Sequence, residues 1–308
     1  MKIMLTGGGG MVGRAILRQR AALEHRIIAP RSKDLNLIDR RDVYEFIERE
    51  QPDLVIHAAG RVGGIAENMS HQAEFLLENL YMGLNVVDSV FKAGVKRFIN
   101  LGSSCIYPTT APSPFRENML LAGFLESTNE GYALAKIATL KLANFIDAAN
   151  PDCHYVSVIS PNLYGPGDKY EPARSHMIPA VIRKLHEAAR LGQNEVSIWG
   201  DGTARREFML VDDLADGLWF CVDYLERLPS IINVGIDEDY SVNEYYQAIA
   251  RIVGYNGNFV HDLDKPVGMK RKLMSSDKIK ALGWKPKWRL EQGLEYTYRH
   301  FLEEHGNG

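Results

Sequence analysis

The chain has 308 residues, 45% hydrophobic and 24% charged, with a formal net charge of −3 and a pI near 6.3. That length supports a large core and one extended domain with a smaller lobe, and the charge balance excludes an electrostatic case for nucleic acid or an anionic membrane surface. No apolar run approaches the ~18 residues of a membrane span, no signal peptide is expected ahead of the first strand, and three scattered cysteines, Cys105, Cys153 and Cys221, fit a reducing cytoplasm and neither a disulfide framework nor a zinc site.

Residues 2–6 predict a short apolar strand, followed by Gly7-Gly8-Gly9-Gly10-Met11-Val12-Gly13 and a helical pattern through Gln19. A G-x-x-G-x-x-G turn between strand and helix lets the backbone approach a pyrophosphate, which then rests on the N–H groups of the helix start. This puts Gly7, Gly10, Met11, Val12 and Gly13 in a cofactor-binding loop. Residues 26–30 predict the second strand. An NAD enzyme usually carries an acid there for the ribose 2′-hydroxyl, but the chain continues Arg31-Ser32-Lys33 and has no acid until Asp34. Arg31 and Lys33 suit a 2′-phosphate, so NADP(H) is the expected cofactor; two solvated surface cations are the plain alternative.

Residues 41–49 predict an amphipathic helix and 53–57 a fourth strand, ending in Ala58-Ala59-Gly60. A long helix over 71–93 carries Asn79 and Asn85, and a strand over 97–101 delivers Leu101, Gly102 and Ser103 to its carboxyl end. Ligands of open parallel sheets bind at that end, so the glycine loop, Ala58-Ala59-Gly60 and Ser103 should converge. Tyr132-Ala-Leu-Ala-Lys136 opens the next helix, with tyrosine and lysine on one face. An ammonium near a phenol stabilises the phenolate, which would bring the Tyr132 pKa toward neutrality and make it a proton donor or acceptor for a carbonyl. Ser103 can place a second hydroxyl on the same oxygen. An isolated Y-x-x-x-K is ordinarily an exposed aromatic beside a solvated lysine; its company gives it meaning.

A strand over 155–159 leads into Ser160-Pro161-Asn162-Leu163-Tyr164-Gly165-Pro166, after which proline, glycine and polar loops alternate with helices over 176–191, 211–227 and 242–253. The expected division is a dinucleotide-binding unit over 1–160, its sheet completed by segments near 205–235, and a substrate lobe made mainly of 161–308. The segment Trp199-Gly-Asp-Gly-Thr-Ala-Arg205-Arg206-Glu207-Phe208 is turn-rich and basic. Tandem arginines beside a tryptophan suit a diphosphate and a base.

Taken together, Gly7 to Gly13, Ser103, Tyr132 and Lys136 resemble the extended short-chain dehydrogenase/reductases. The finer pattern, Arg61-Val-Gly-Gly-Ile65, Gly102-Ser-Ser-Cys-Ile-Tyr-Pro108, Glu126-Ser-Thr-Asn-Glu130, Asn162-Leu-Tyr-Gly-Pro166, Ser175-His-Met-Ile-Pro179 and Arg206-Glu-Phe208, resembles the GDP-L-fucose synthase family, and the likeness runs to Leu282-Gly-Trp284. The resemblance implies a doubly wound parallel Rossmann sheet with a smaller C-terminal α/β substrate lobe. It implies carbonyl reduction by Ser103, Tyr132 and Lys136, and epimerisation by a Cys105/His176 pair. Cofactor contacts implied are Ser32, Asn36, Leu37, Ala58, Ala59, Gly60, Leu101, Gly102, Pro161, Asn162, Leu163 and His176, with Tyr132 and Lys136. Arg61, Lys184, Trp199, Arg206 and Lys272 would contact a GDP-sugar. Without the resemblance, Cys105 reads as a core cysteine and His176 as a loop histidine. Departures are Gly9, where members often carry an arginine, and Val267, where they carry an acid.

The expected activity is NADPH-dependent 3,5-epimerisation and 4-reduction of a GDP-4-keto-6-deoxy-hexose. Alternatives are a GDP-sugar C4-reductase without epimerase activity, acting on hexose or heptose, and a GDP-L-colitose synthase. A 4,6-dehydratase is disfavoured because Ser104 and Cys105, not carboxylates, follow Ser103. A dinucleotide sensor without catalysis is disfavoured because both Tyr132 and Lys136 are present. Pairing of the two long helices across a homodimer interface is also expected.

Overall fold

The computed structural model describes residues 1–171, 175–265 and 268–305. Its centre is a six-stranded parallel sheet built from β1 (Lys2–Thr6), β2 (Arg26–Ile28), β3 (Leu54–His57), β4 (Arg97–Ser103), β5 (His154–Ser160) and a final strand at Ile231–Asn233. Reading across, the order is β2, β1, β3, β4, β5 and Ile231–Asn233. The chain leaves β1 in both directions, so the crevice outside the carboxyl ends of β1 and β3 is the switch point where such sheets take ligands. β3 and β5 are continuously buried runs, as expected of strands covered on both faces.

Helices α1 (Met11–Arg18), α2 (Arg40–Glu50), α3 (Ile65–Ser70), α4 (Gln72–Lys92) and α5 (Glu130–Ala149) come from the first half of the chain, and α6 (Met177–Arg190), α7 (Val211–Asp223) and α8 (Val242–Val253) from the second. α7 packs beside α1 on one face of the sheet and brings Leu214, Leu218 and Trp219 into the core of Ile3, Leu5, Ile56 and Val156. α2 and α4 cover the opposite face through Val43, Ile47, Val86 and Val90. A second core joins α6, α8 and the C-terminal helix at Leu290–His305 through Ile178, Leu185, Tyr245, Ile249, Leu294 and Phe301.

Local chemistry sets the element ends. Asp39 caps α2 by accepting from Arg41 N at 2.8 Å and Asp42 N at 3.2 Å. α8 opens on a reciprocal Ser241/Glu244 capping box and closes on Gly254 at φ 82°. Asn85, buried on α4, donates to the carbonyls of Leu37 and Ile38 at 3.0 and 2.8 Å and pins the chain after β2 to the helix layer.

Three expectations change. The strand at 53–57 is the third of the sheet and not the fourth, because the chain between β2 and α2 forms turns on either side of the buried Leu35 and no strand. The second strand ends at Ile28, ahead of Pro30. The helix expected over 211–227 ends at Asp223, and Leu225–Arg227 is a separate 3-10 turn. Pro266, Val267 and the terminal Gly306-Asn307-Gly308 lie outside the described residues.

Glycine 13 is sterically required. A Cβ there would strike the Gly7 carbonyl, 2.8 Å from its carbon, whereas a Cβ at Gly9 has nothing within 4 Å. Gly13→Ala should therefore destabilise the fold by about 1–3 kcal/mol, the usual cost of overpacking, and Gly9→Ala should stay within about 0.5 kcal/mol of the parent. Urea unfolding of the two variants checks this; equal stabilities would show that the loop relaxes freely.

Candidate functional site

The glycine loop and the end of β3 touch. Gly7 has φ 73°, and a Cβ on it would lie 2.7 Å from Ala59 N and 2.8 Å from the Ala58 carbonyl. Gly10 N donates to Gly7 O at 2.9 Å, and α1 then begins at Met11 with no side chain capping its first N–H groups. A cradle without Cβ atoms ahead of an uncapped helix start suits a pyrophosphate. Beneath it, Thr6 Oγ1 and His57 Nδ1 are 2.8 Å apart, and Ala59 N donates to Thr6 Oγ1 at 3.3 Å. Burial, and then the Lys136 charge, lower the His57 pKa to about 3, so this imidazole is neutral. Arg31, Ser32, Lys33 and Asn36 are exposed beyond β2, and Arg31 Nε pairs with Asp34 at 3.1 Å.

Lys136 joins this cradle to β4. Its ammonium is buried, donates to Leu101 O at 3.0 Å, and would sit 3.6 Å from a Cβ placed on Gly60. Burial lowers its pKa to about 8, against the raising effect of Cys105. Lys136 Nζ lies over the Tyr132 ring, 5.8 Å from its centroid. Burial, then Cys105, raise the Tyr132 phenol above its usual value. The expected drop of the tyrosine toward neutrality is thus not found: desolvation outweighs a cation whose hydrogen bond goes to Leu101. Ser103 ends β4 opposite Ser160 of β5, and a Cβ on Gly102 would strike Ile159 Cδ1, so the Ile159 side chain would have to shift to admit one. Pro161 is buried, Asn162 Nδ2 donates to Glu207 O at 3.3 Å, and Leu163 packs on the sheet core.

Cys105 sits on a 3-10 turn directly after Ser103, 4% exposed. Burial raises its thiol, opposed by the Lys272 charge, a hydrogen bond with Ser103 and the Lys136 charge. His176 is the residue before α6, and burial followed by Lys169 lowers its pKa. Among the described residues no hydrogen bond joins Cys105 to His176, so the expected pair is not a hydrogen-bonded one in this structure. The Ser175 carbonyl beside His176 is instead 3.0 Å from a Cβ placed on Gly64, which seats His176 by the Arg61-Val-Gly-Gly-Ile65 segment.

The basic residues of the second half divide. Arg206 and Lys272 are register partners in a small parallel pairing, and Glu126 acts on both charges. Arg205 is engaged elsewhere, bonded to Asp239 at 2.9 Å and Glu244 at 3.1 Å, so the tandem arginines do not act together. Lys184 donates to Ser197 Oγ at 3.0 Å; Ser197 and Trp199 point to the same side of strand Glu195–Trp199, and the Lys265 ammonium lies 5.8 Å over the Trp199 ring. Arg61 is held by Glu78 at 2.7 Å and lies over Phe75 at 4.7 Å. A cleft of about 620 Å³ opens beside Glu126, lined also by Leu125, Thr128, Met269 and Arg271. Sequence reasoning passed over Thr6 and His57 and gave Glu126, quoted within the 126–130 motif, no role of its own, because the meaning of all three depends on partners distant in the chain.

The profile of the NAD dependent epimerase/dehydratase family matches residues 3–235. The chain is 46% identical to the GDP-L-colitose synthase of Yersinia pseudotuberculosis, with all of both chains covered. It is 48% identical to the GDP-L-fucose synthase of Azorhizobium caulinodans, over 98% of this chain and 96% of that one. Among solved structures, the GDP-mannoheptose C4 reductase of Campylobacter jejuni, with NADP bound, superposes with a TM-score of 0.87 at 30% identity, covering 97% of this chain and 98% of the other.

The Cys105 environment makes a measurable claim. Alkylation of Cys105 by iodoacetamide, followed by mass spectrometry, should still be accelerating above the ordinary thiol value of 9.0, because burial disfavours the thiolate. Removing the opposing cation in Lys272→Met should slow alkylation further at each pH. A plateau below that value, or no change in the variant, would contradict the assignment.

Proposed function

The chain belongs to the GDP-L-fucose synthase family of NAD dependent epimerase/dehydratases, and from that premise we propose that it uses NADPH to epimerise C3 and C5 and reduce C4 of a GDP-4-keto-6-deoxy-hexose, giving GDP-L-fucose or a close relative. The observation that carries the proposal is the meeting of Ser103, Cys105, Tyr132 and Lys136 at the carboxyl end of β4, next to the glycine cradle. Cofactor contacts are assigned to Gly7, Gly10, Met11, Val12, Gly13, Ala58, Ala59 and Gly60, with Arg31 and Lys33 toward the 2′-phosphate. When bound, NADPH supplies the hydride for the C4 carbonyl carbon.

The chain's own groups divide the remaining work. Protons on C3 and C5 are both alpha to the C4 ketone, so removing either leaves an enolate whose oxyanion Ser103 and Tyr132 stabilise by hydrogen bonding. Cys105 and His176, on the carbon side of the substrate, take a proton from one face and return one to the other. In reduction Tyr132 donates its proton to the C4 oxygen. A phenol held well above neutrality is protonated and ready for that donation, and Lys136 supports the phenolate left behind. Arg206 and Lys272 take the diphosphate, and Lys184 and Trp199 the nucleoside end.

Two further readings have observations behind them. Synthesis of GDP-L-colitose is favoured by the end-to-end match to the Yersinia relative. Reduction without epimerisation is favoured by the lack of a bond between Cys105 and His176. Exposed Leu77 and Tyr81 on α4 and Leu134 and Phe145 on α5 support a homodimer formed through these helices. Three free cysteines, all buried, support a cytoplasmic location.

Incubation with GDP-4-keto-6-deoxymannose and NADPH, with the product read by NMR, tests the main reading. Cys105→Ser should slow epimerisation about 10²–10⁴-fold, as loss of a general base does, and release a reduced sugar of unchanged C3 and C5 configuration. Tyr132→Phe should abolish reduction while deuterium still exchanges into C3 or C5 through Ser103. Fully epimerised product at the parent rate from Cys105→Ser would leave a C4-reductase.

Cofactor choice is a separate matter. NADPH should give the higher kcat/KM than NADH, and the double variant Arg31→Ala/Lys33→Ala should lose more with NADPH than with NADH. Equal losses would free both residues from any role at the 2′-phosphate.

A further inference from the structure

Glu207 follows Arg206 and is 1% exposed, yet no ion pair holds its carboxylate among the described residues. It is satisfied entirely by backbone. Oε1 accepts from Ile236 N at 2.7 Å and Asp237 N at 3.1 Å, and Oε2 accepts from Met274 N at 2.9 Å. Its own amide donates to Lys272 O at 3.1 Å, and its carbonyl accepts from Asn162 Nδ2 at 3.3 Å. One residue therefore ties together the segment after β5, the turn after Ile231–Asn233 and the strand at Arg271–Lys272. Gly235 has no room for a Cβ against Oε1. Asp237 continues the link, accepting from Ser276 N at 2.7 Å and pairing with Lys280 at 2.6 Å.

These bonds converge on the two cations assigned to the diphosphate. Arg206 precedes Glu207, its carbonyl accepts from Tyr245 Oη at 2.9 Å, and Lys272 is its register partner. The Lys272 backbone is thus clamped on both sides, by the Glu207 amide at its own carbonyl and by the Glu207 carboxylate at Met274. We propose that Glu207 is a positioning residue for sugar-nucleotide binding, which keeps Lys272 level with Arg206 so that both cations meet one diphosphate. This rests on the assignment of Arg206 and Lys272 to the substrate.

Glu207→Gln keeps the size and one acceptor but turns an NH2 group against at least one backbone N–H. Its KM for the sugar nucleotide should rise about 10-fold or more, as expected when a charge-assisted contact is misplaced, with kcat within about 3-fold and the Kd for NADPH unchanged. In an Arg206→Ala/Lys272→Met background the same change should leave KM as it is, since nothing remains to position. A stability loss with KM unaltered, or an equal KM increase in both backgrounds, would overturn the proposal. If Arg206→Ala alone leaves KM unaltered, the substrate assignment fails instead.

A measurement on the unaltered enzyme covers the case of a variant that does not fold. Burial holds the Glu207 carboxyl up to about 7 against its three N–H donors. A proton on Oε2 would face Met274 N–H, so KM for the sugar nucleotide should rise as pH falls through about 7. Asp237 and Tyr245 act on the same carboxylate, and Lys280 reaches it through Asp237. Loss of charge from Lys272 would raise KM toward alkaline pH, the opposite direction. A KM flat between pH 6 and 8 counts against the proposal.

Discussion

The hydrogen bond from the buried Lys136 ammonium to the Leu101 carbonyl is the contact on which the candidate site depends. Taking an ammonium out of water is costly, and a bond to a charged donor returns about 1.5–3 kcal/mol. The lysine is therefore held to one position, and with it the first turns of α5. Tyr132, one turn earlier, is brought to the end of β4, where Ser103 and Cys105 emerge. Gly60 lies against the same ammonium, so the glycine cradle and the end of β4 share a wall.

Burial dominates the electrostatics of this centre. The Tyr132 and Cys105 groups are both pushed toward their neutral forms, Lys136 is lowered, and His57 is neutral. Arg206, Lys272 and Lys136 gather positive charge in one region, which suits a diphosphate, although the chain as a whole carries −3. The attraction is local and owes little to net charge.

The second half of the chain serves both cores. α7 and Ile231–Asn233 complete the sheet layers, and the segments before α7 and after Ile231–Asn233 pair to build the face that carries Arg206 and Lys272. Tyr107 Oη donates to Asn233 Oδ1 at 2.6 Å, and Asn233 Nδ2 donates to the carbonyls of Phe115 and Ser275. The turn bearing Cys105 is thereby braced by the last strand of the sheet and by the segment that follows Lys272. The residues proposed for substrate and for reaction share a scaffold, which suits a cleft needing both at fixed separation.

Local pattern alone determined the parallel sheet, the glycine loop after the first strand and the tyrosine and lysine on one helical face, because strand periodicity, turn chemistry and helical spacing are properties of short stretches. The six motif segments that resemble the family were legible for the same reason. Tertiary structure decided what those stretches could not contain. Arg205 and Arg206 are neighbours with opposite fates, since Asp239 and Glu244 reach only the first. Lys272, with Lys136, supplies the opposing charge at Cys105, because the strand at Arg271–Lys272 returns beside Arg206. The path of the chain between β2 and α2 is set by Leu35 packing into the core with Val43 and Val86 and by Asn85 holding the carbonyls of Leu37 and Ile38. The Tyr132 pKa went against the sequence argument because a charge pair is visible in a motif, whereas the desolvation that outweighs it depends on how completely the fold closes around the phenol.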